Sequence, residues 1–225
     1  MRPVLVLRPE PGASATFARA TAAGLQAIPA PIFTLKSVAW DAPAPREHDA
    51  LMLTSANAVR HAGAALDLYR ALPAYAVGEA TAVAASAAGF ADVRVGASDA
   101  AALIGLMARD GVARPLHLAG RDRKSGAAPF PIARRIVYAA DPVAALPGAA
   151  RAALGRGAVT LVHSPRAGRL FASLLAAAEL SPLTVSIAAI SADAASGSWK
   201  EAAIAATPDD AALLAAALSL CDKAP

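Results

Sequence analysis

Short apolar runs alternate with Ala-rich stretches along most of the chain. Pro3–Leu7 is a compact Val/Leu run, which predicts a buried strand. Arg8-Pro9-Glu10-Pro11-Gly12 reads as a turn, and Ser14 is placed to cap a helix that Gly24 stops. Ala27–Val38 is extended, since Pro29 and Pro31 block a helix, and Trp40–Asp49 is a polar, Pro-rich loop. From Leu51 the alternation is regular. Strand Leu51–Leu53 leads to helix Ala56–Arg70, strand Tyr75–Val77 to helix Ala80–Ala88, and strand Asp92–Val95 to helix Asp99–Arg109. Strand Leu116–Leu118 leads to a basic loop, Arg121–Gly126. Arg134–Ala140 is a second extended piece, followed by helix Val143–Leu154, strand Val159–Val162, helix Arg166–Glu179 and strand Thr184–Ala188. A short helix after Ser191, strand Ala203–Ala205 and helix Asp209–Leu220 complete the pattern. Strands that alternate with helices mean parallel βα units and an α/β fold.

Two stretches share one design. Leu51–Arg60, LMLTSANAVR, and Thr160–Arg169, TLVHSPRAGR, each run from an apolar strand through a Ser into a helical pattern. Ser164 lies 109 positions after Ser55, and an Ala and an Arg recur at the same spacings behind both. Ser55 or Asn57 can cap the first helix. The free N–H groups of such a first turn, at the positive end of the helix dipole, form an anion site. Each half offers three successive strand-to-helix turns: Thr54-Ser55, Gly78-Glu79 and Ala97-Ser98, then His163-Ser164, Ser191-Ala192 and Thr207-Pro208. Ligands of parallel sheets bind at the carboxyl ends of strands, so facing domains would line one cleft with six turns. The second half has only three βα units, and Pro3–Gly24 would complete it. That assigns residues 1–35 and 141–225 to a discontinuous first domain and 38–134 to a second. Residues 28–38 and 134–140 are then two linker strands between them.

Composition narrows the function. The 225 residues are 56% apolar and 17% charged, with a formal net charge of +4 and a pI near 9.6. That excess favours acidic partners but is too dispersed to indicate nucleic acid. Cys221 is the only cysteine, so no disulfide framework exists and a reducing compartment fits. The opening MRPVLVLRP is too short an apolar run for a secretory signal, and no clean membrane span appears, which predicts a soluble, cytoplasmic protein. The histidines at 48, 61, 117 and 163 show no metal-site spacing, and neither a nucleophile elbow nor a Walker or dinucleotide glycine motif is present. Asp209 and Asp210 open a helix and read as capping carboxylates.

The chain resembles the uroporphyrinogen-III synthase family. The resemblance rests on LRP (Leu7–Pro9), LTSANAV (Leu53–Val59), AVGEATAVAASAAGF (Ala76–Phe90) and the Val137-Tyr138 pair, then HSPRAGRLF (His163–Phe171), AAIS (Ala188–Ser191) and the run Ala206–Leu218. It implies two flavodoxin-like parallel-sheet domains joined by a two-stranded β linker, the first domain discontinuous. It implies a monomeric lyase without cofactor or metal. Such a lyase closes linear hydroxymethylbilane into uroporphyrinogen III with loss of water and inversion of the last pyrrole ring. The substrate carries acetate and propionate groups on every ring, which suits helix N-termini and scattered Arg. Tyr138 matches the family's tyrosine, and a phenol, with a pKa of ~10, still holds its proton at neutral pH and serves as a general acid. The matched turns make Arg8, Ser55, Asn57, Ala58, Gly78, Thr81, Arg121, Ser164, Arg166, Ala167, Ser191 and Pro208 candidate substrate-binding residues. Two positions depart from the family: Ser191 stands where a Gly is usual and Ala194 where a Thr is usual, so a hydroxyl contact is lost there. The segment after Gly120 is also short, and a mobile basic loop with Arg123 and Lys124 is expected. The rival reading is a non-catalytic two-domain polyanion-binding or regulatory module.

Overall fold

The computed structural model describes residues 1–96, 99–122 and 127–222. Its strands are β1 (Val4–Val6), β2 (Ala27–Pro29), β3 (Phe33–Ser37), β4 (Ala50–Leu53), β5 (Ala74–Val77), β6 (Val93–Gly96), β7 (Pro115–Gly120), β8 (Ala133–Pro142), β9 (Val159–Val162), β10 (Ser186–Ala189) and β11 (Glu201–Ile204). Helices α1 (Gly12–Ala22), α2 (Ala56–His61), α3 (Glu79–Ala87), α4 (Ala100–Arg109), α5 (Gly148–Gly155), α6 (Pro165–Ala177) and α7 (Asp210–Cys221) alternate with them. The chain divides into two compact units, Met1–Thr34 with Asp141–Pro225, and Leu35–Ala140.

The first unit holds a five-stranded sheet in the order β11-β10-β9-β1-β2, parallel throughout. The second holds β3-β8-β7-β4-β5-β6, whose pairs from β8 to β6 are parallel. Edge strand β3 lies beside β8. Val38 N–H donates to Val137 O and Val143 N–H to Ile32 O, so these two run antiparallel. The inner strands β1, β4, β9 and β10 are buried at every position. That is why they read as continuous apolar runs, because helices cover both faces of a parallel sheet. The edge strand β11 alternates half-buried and exposed residues. Small side chains let the helices sit close: Ala13, Ala20 and Ala217 pack on Val4, Val6, Val159 and Leu161. In the second unit Leu51, Leu53, Leu116 and Leu118 share a core with Val59, Leu66, Tyr69 and Phe90. Each such Leu contributes about 1.5–3 kcal/mol of burial.

Several boundaries move from those read along the chain. The helix expected over Ala56–Arg70 stops at His61, and a 3₁₀ turn fills Ala64–Tyr69. Gly63, at φ +70°, breaks it. Ser14 is not a cap, because α1 already starts at Gly12 and the Ser14 N–H donates to Glu10 Oε2 at 3.1 Å. The extended stretch Ala27–Val38 is divided, with β2 in one sheet and β3 in the other. The helix expected from Val143 begins only at Gly148, behind Pro147. The turn residues Ala97 and Ser98 and the basic pair Arg123 and Lys124 lie outside the described residues.

Candidate functional site

Both sheets reverse winding direction once. In the first unit the reversal falls between β1 and β9, and in the second between β7 and β4. Crevices at such switch points, beyond the strands' carboxyl ends, are where open α/β sheets bind ligands. The two switch points match in chemistry. An Arg follows the inner strand in each, Arg8 after β1 and Arg121 after β7, and a Ser caps the helix after the other strand.

In the first unit Ser164 caps α6, its Oγ accepting from Ala167 N–H at 3.1 Å. Ala167 itself is buried, so only its backbone serves there. The Arg166 guanidinium carbon lies 4.5 Å from the centre of the Phe33 ring. Arg8 reaches Asp210, a carboxylate expected to act as a cap. Its Nη1 lies 3.1 Å from Asp210 Oδ1 and 3.2 Å from Thr16 Oγ1. Thr16 Oγ1 donates to Asp210 Oδ2 at 2.8 Å, Arg19 pairs with the same oxygen, and His163 Nε2 lies 3.1 Å from Oδ1. Burial would push the Asp210 carboxyl up. The hydrogen bonds from His163 and Thr16, with the charges of His163 and Arg8, outweigh it and hold Asp210 well below the usual carboxylate range. The cap of α7 is the residue before it: Asp209 accepts from Ala212 N–H at 2.9 Å.

In the second unit Ser55 caps α2, accepting from Asn57 N–H at 3.2 Å. Ala58 is buried and its N–H donates to Ser55 O. Gly78 leads into α3 at φ +73°, a conformation that only Gly adopts without strain. Thr81 is buried within α3. Beyond β7 the Arg121 N–H donates to Tyr138 O at 2.9 Å. The register between β7 and β8 slips there: Ala119 faces Ile136, but Gly120 faces Tyr138. Val137 is the extra residue of a β-bulge. A regular strand would send Val137 and Tyr138 to opposite faces, yet both side chains join the cluster around Leu53 and Leu118. The bulge therefore re-aims Tyr138. Its ring lies over Gly120, where an added Cβ would come 2.6 Å from Cζ and 2.8 Å from the phenol oxygen. The ring is also stacked with that of His61, centroids 6.0 Å apart and planes inclined by 28°.

The expected set of six anion-receiving turns is reduced. Carboxylates occupy the third turn of each half: Asp99 accepts from Ala102 N–H at 2.8 Å, and Asp209 occupies the other behind exposed Pro208. A carboxylate already at the helix start occupies one of the free donors and offsets the favourable charge. Of the remaining turns, Ser191 caps only the 3₁₀ turn Ala192–Ala195 and Ser55 only the six-residue α2. The nine residues of α3 and thirteen of α6 carry the fuller dipoles. At Ser191 the backbone is extended, at φ −160°, so the Gly usual there is not required. Ala194 is buried, and its carbonyl oxygen would lie 2.5 Å from a Cβ on Gly168.

A cavity of about 260 Å³ against Glu47, His48 and Arg114 does not coincide with these turns. It sits at the amino ends of β7 and β8, and the strand-end chemistry is absent there. Among the described residues no cluster of His, Cys, Asp or Glu could hold a metal ion, and no helix is long and apolar enough to cross a membrane.

Comparison with known proteins adds to this geometry. The family model described as uroporphyrinogen-III synthase HemD matches residues 14–215. No curated protein matches the chain in sequence. Among solved structures, a mutant uroporphyrinogen III synthase from the extremely thermophilic bacterium Thermus thermophilus aligns over 98% of this chain and 100% of its own, at 16% identity and a TM-score of 0.53. The wild-type Thermus thermophilus enzyme aligns over 97% and 96% at 17% identity, with a TM-score of 0.41. At these identities the likeness supports the fold, and only the first superposition is close enough to do so.

Proposed function

Because the chain belongs to the uroporphyrinogen-III synthase family, we propose that it closes hydroxymethylbilane into uroporphyrinogen III and that Tyr138 supplies the proton for the first step. The family match across residues 14–215 carries the reading. The bulge that turns Tyr138 toward the carboxyl ends of β4 and β7 supports the assignment of the acid. The Tyr138 O–H proton passes to the departing hydroxyl, which leaves as water. The pyrrole nitrogen pushes it off, so the hydroxymethyl carbon becomes the methylene of an azafulvene cation. The substituted carbon of the last ring attacks that methylene and gives a spiro intermediate. The intermediate fragments and recloses with the ring reversed. The ring-carbon proton lost at closure returns to the phenolate, so the sum is bilane to macrocycle plus one water. The bilane also closes unaided to the symmetric isomer, so holding a folded geometry outweighs strong acid or base. Arg8, Ser164, Arg166 and the α6 amides in one unit receive acetate and propionate groups, and so do Gly78, Ser55, Asn57 and Arg121 in the other. On this reading the chain acts as a cytoplasmic monomer.

The test is to incubate hydroxymethylbilane with the purified protein and separate the type I and type III isomers by chromatography. The type III isomer is expected to dominate. Type I alone would overturn the reading and leave a polyanion-binding module. Tyr138→Phe is expected to slow type III formation by ~10-fold or more, below or near the ~10²–10⁴-fold typical of general acids. Full turnover by that variant in the coupled assay removes Tyr138 from the mechanism.

A further inference from the structure

The two units share one spatial strand arrangement, yet among the described residues only the second stacks an aromatic ring on the tyrosine beside its switch point. The position in α6 equivalent to His61, by the 109-residue offset that relates Ser55 to Ser164, is Leu170. The strand equivalent to β8 is β2, Ala-Ile-Pro, with no aromatic residue. His61 is the last residue of α2, held from two sides. Its Nδ1 lies 3.0 Å from Ser37 Oγ on β3. The next residue, Ala62, has its carbonyl oxygen bound by Trp40 Nε1 at 2.9 Å. Ser37 thus holds the imidazole from outside its own helix while Trp40 ties down the backbone behind it, and the ring is stacked on Tyr138 at 6.0 Å, within the range of offset aromatic pairs. The same ring meets the bare backbone of Gly120. Remove the imidazole and the ring is free to swing toward the vacated space.

We propose that His61, itself fixed by Ser37, is a positioning residue that holds the Tyr138 phenol against Gly120. The inference rests on the reading of Tyr138 as the proton donor. A catalytic group displaced by as little as ~1 Å loses up to ~10²-fold in rate, so a loosely held phenol is a slow one. Three consequences follow from a role exerted through Tyr138. His61→Ala lowers kcat and leaves KM nearly unchanged. His61→Phe keeps a flat ring against the phenol and restores most of the rate. In a Tyr138→Phe background the His61→Ala change has little left to remove, because residues acting as a unit are non-additive.

The experiment is steady-state kinetics of type III formation for His61→Ala, His61→Phe, Ser37→Ala, Tyr138→Phe and the Tyr138→Phe/His61→Ala double variant, each checked for folding by circular dichroism. The expected result is a kcat loss of ~5-fold or more for His61→Ala with KM within ~2-fold, and less than a ~2-fold further loss in the double variant. A His61→Ala enzyme with wild-type kcat overturns the proposal. So does an equal loss in both backgrounds, which would make the residue merely structural. If His61→Ala does not fold, Ser37→Ala and His61→Phe decide: with Ser37→Ala a partial kcat loss supports the proposal, and wild-type behaviour overturns it. Wild-type kcat in Tyr138→Phe would instead overturn the assignment of the acid. An additive His61 effect beside a slow Tyr138→Phe sinks only the present inference.

Discussion

Gly120 lacks a side chain at the one place where the Tyr138 ring would strike it. The obstacle to Gly120→Ala is the far end of a side chain rather than backbone, so the fold survives and the ring gives way. We expect a stability loss of ~1–3 kcal/mol by urea denaturation and a fall in kcat of ~10-fold or more, since the phenol leaves its seat. Near-normal turnover would show that the phenol's seat is irrelevant to the chemistry. In the other unit the interactions converge on Asp210, the first residue of α7. Its side chain is 11% exposed and answers Arg8, Arg19 and His163 at once. Its carboxyl is held below its ordinary value. A depressed acid stabilises the fold above the unfolded pKa of ~3.9 and loses that contribution as pH falls toward the folded value. Asp210→Asn is therefore expected to cost ~1.5–3 kcal/mol at neutral pH. The gap to wild type should narrow steadily below pH ~4, followed by urea midpoints across pH. A gap independent of pH would mean that packing, and not the charge, sets the cost.

At the scale of elements, the caps differ by what they start. Ser164 opens the thirteen-residue α6, whereas Ser191 opens a single 3₁₀ turn of four residues. Ser164→Ala is expected to cost ~1 kcal/mol and Ser191→Ala a few tenths, compared by urea midpoint at neutral pH. Equal costs would remove the length argument. The same contrast marks what was legible in the chain. Strands β4 and β9 could be read because a strand buried on both faces is a continuous apolar run, and the Ser behind each announces a cap. The end of α2 could not, because periodicity carries on past Gly63 and only its positive φ stops the helix. The bulge at Val137 was equally hidden. RRIVYAA reads as a strand whichever way it pairs, and an extra residue exists only relative to β7. Tyr138 was reachable by resemblance, but its neighbours were not. His61 is far from it in sequence, and no local pattern marks that meeting. The role of Asp210 is hidden for a similar reason, since the true cap is one residue earlier and the partners of Asp210 come from α1 and from the residues that follow β1 and β9.

At the scale of the whole molecule, the two sheets are the same arrangement threaded differently. Reading outward, β2-β1-β9-β10-β11 and β8-β7-β4-β5-β6 put equivalent strands in equivalent places. In the first unit the two strands on one side of the switch come first in sequence, and in the second they come last. That is why the halves match after Ser55 and Ser164 and not before them, and why the first unit must be closed by the chain's opening strand. Each of the described core clusters draws on one unit: Val4, Leu161, Leu213 and Leu220 in the first, Leu51, Leu118 and Val137 or Met52, Leu103 and Met107 in the second. A cavity cut in one core should therefore loosen that unit selectively. Leu161→Ala, at a position fully buried in β9, is expected to cost ~2–5 kcal/mol. In hydrogen–deuterium exchange it should lower protection in β1, β9, β10 and α7, while β4, β5 and β7 keep theirs, because sub-global openings follow cooperative units. A uniform loss of protection across both sets of strands would mean that the discontinuous unit does not unfold on its own, and that the separation of the cores is geometric without being energetic.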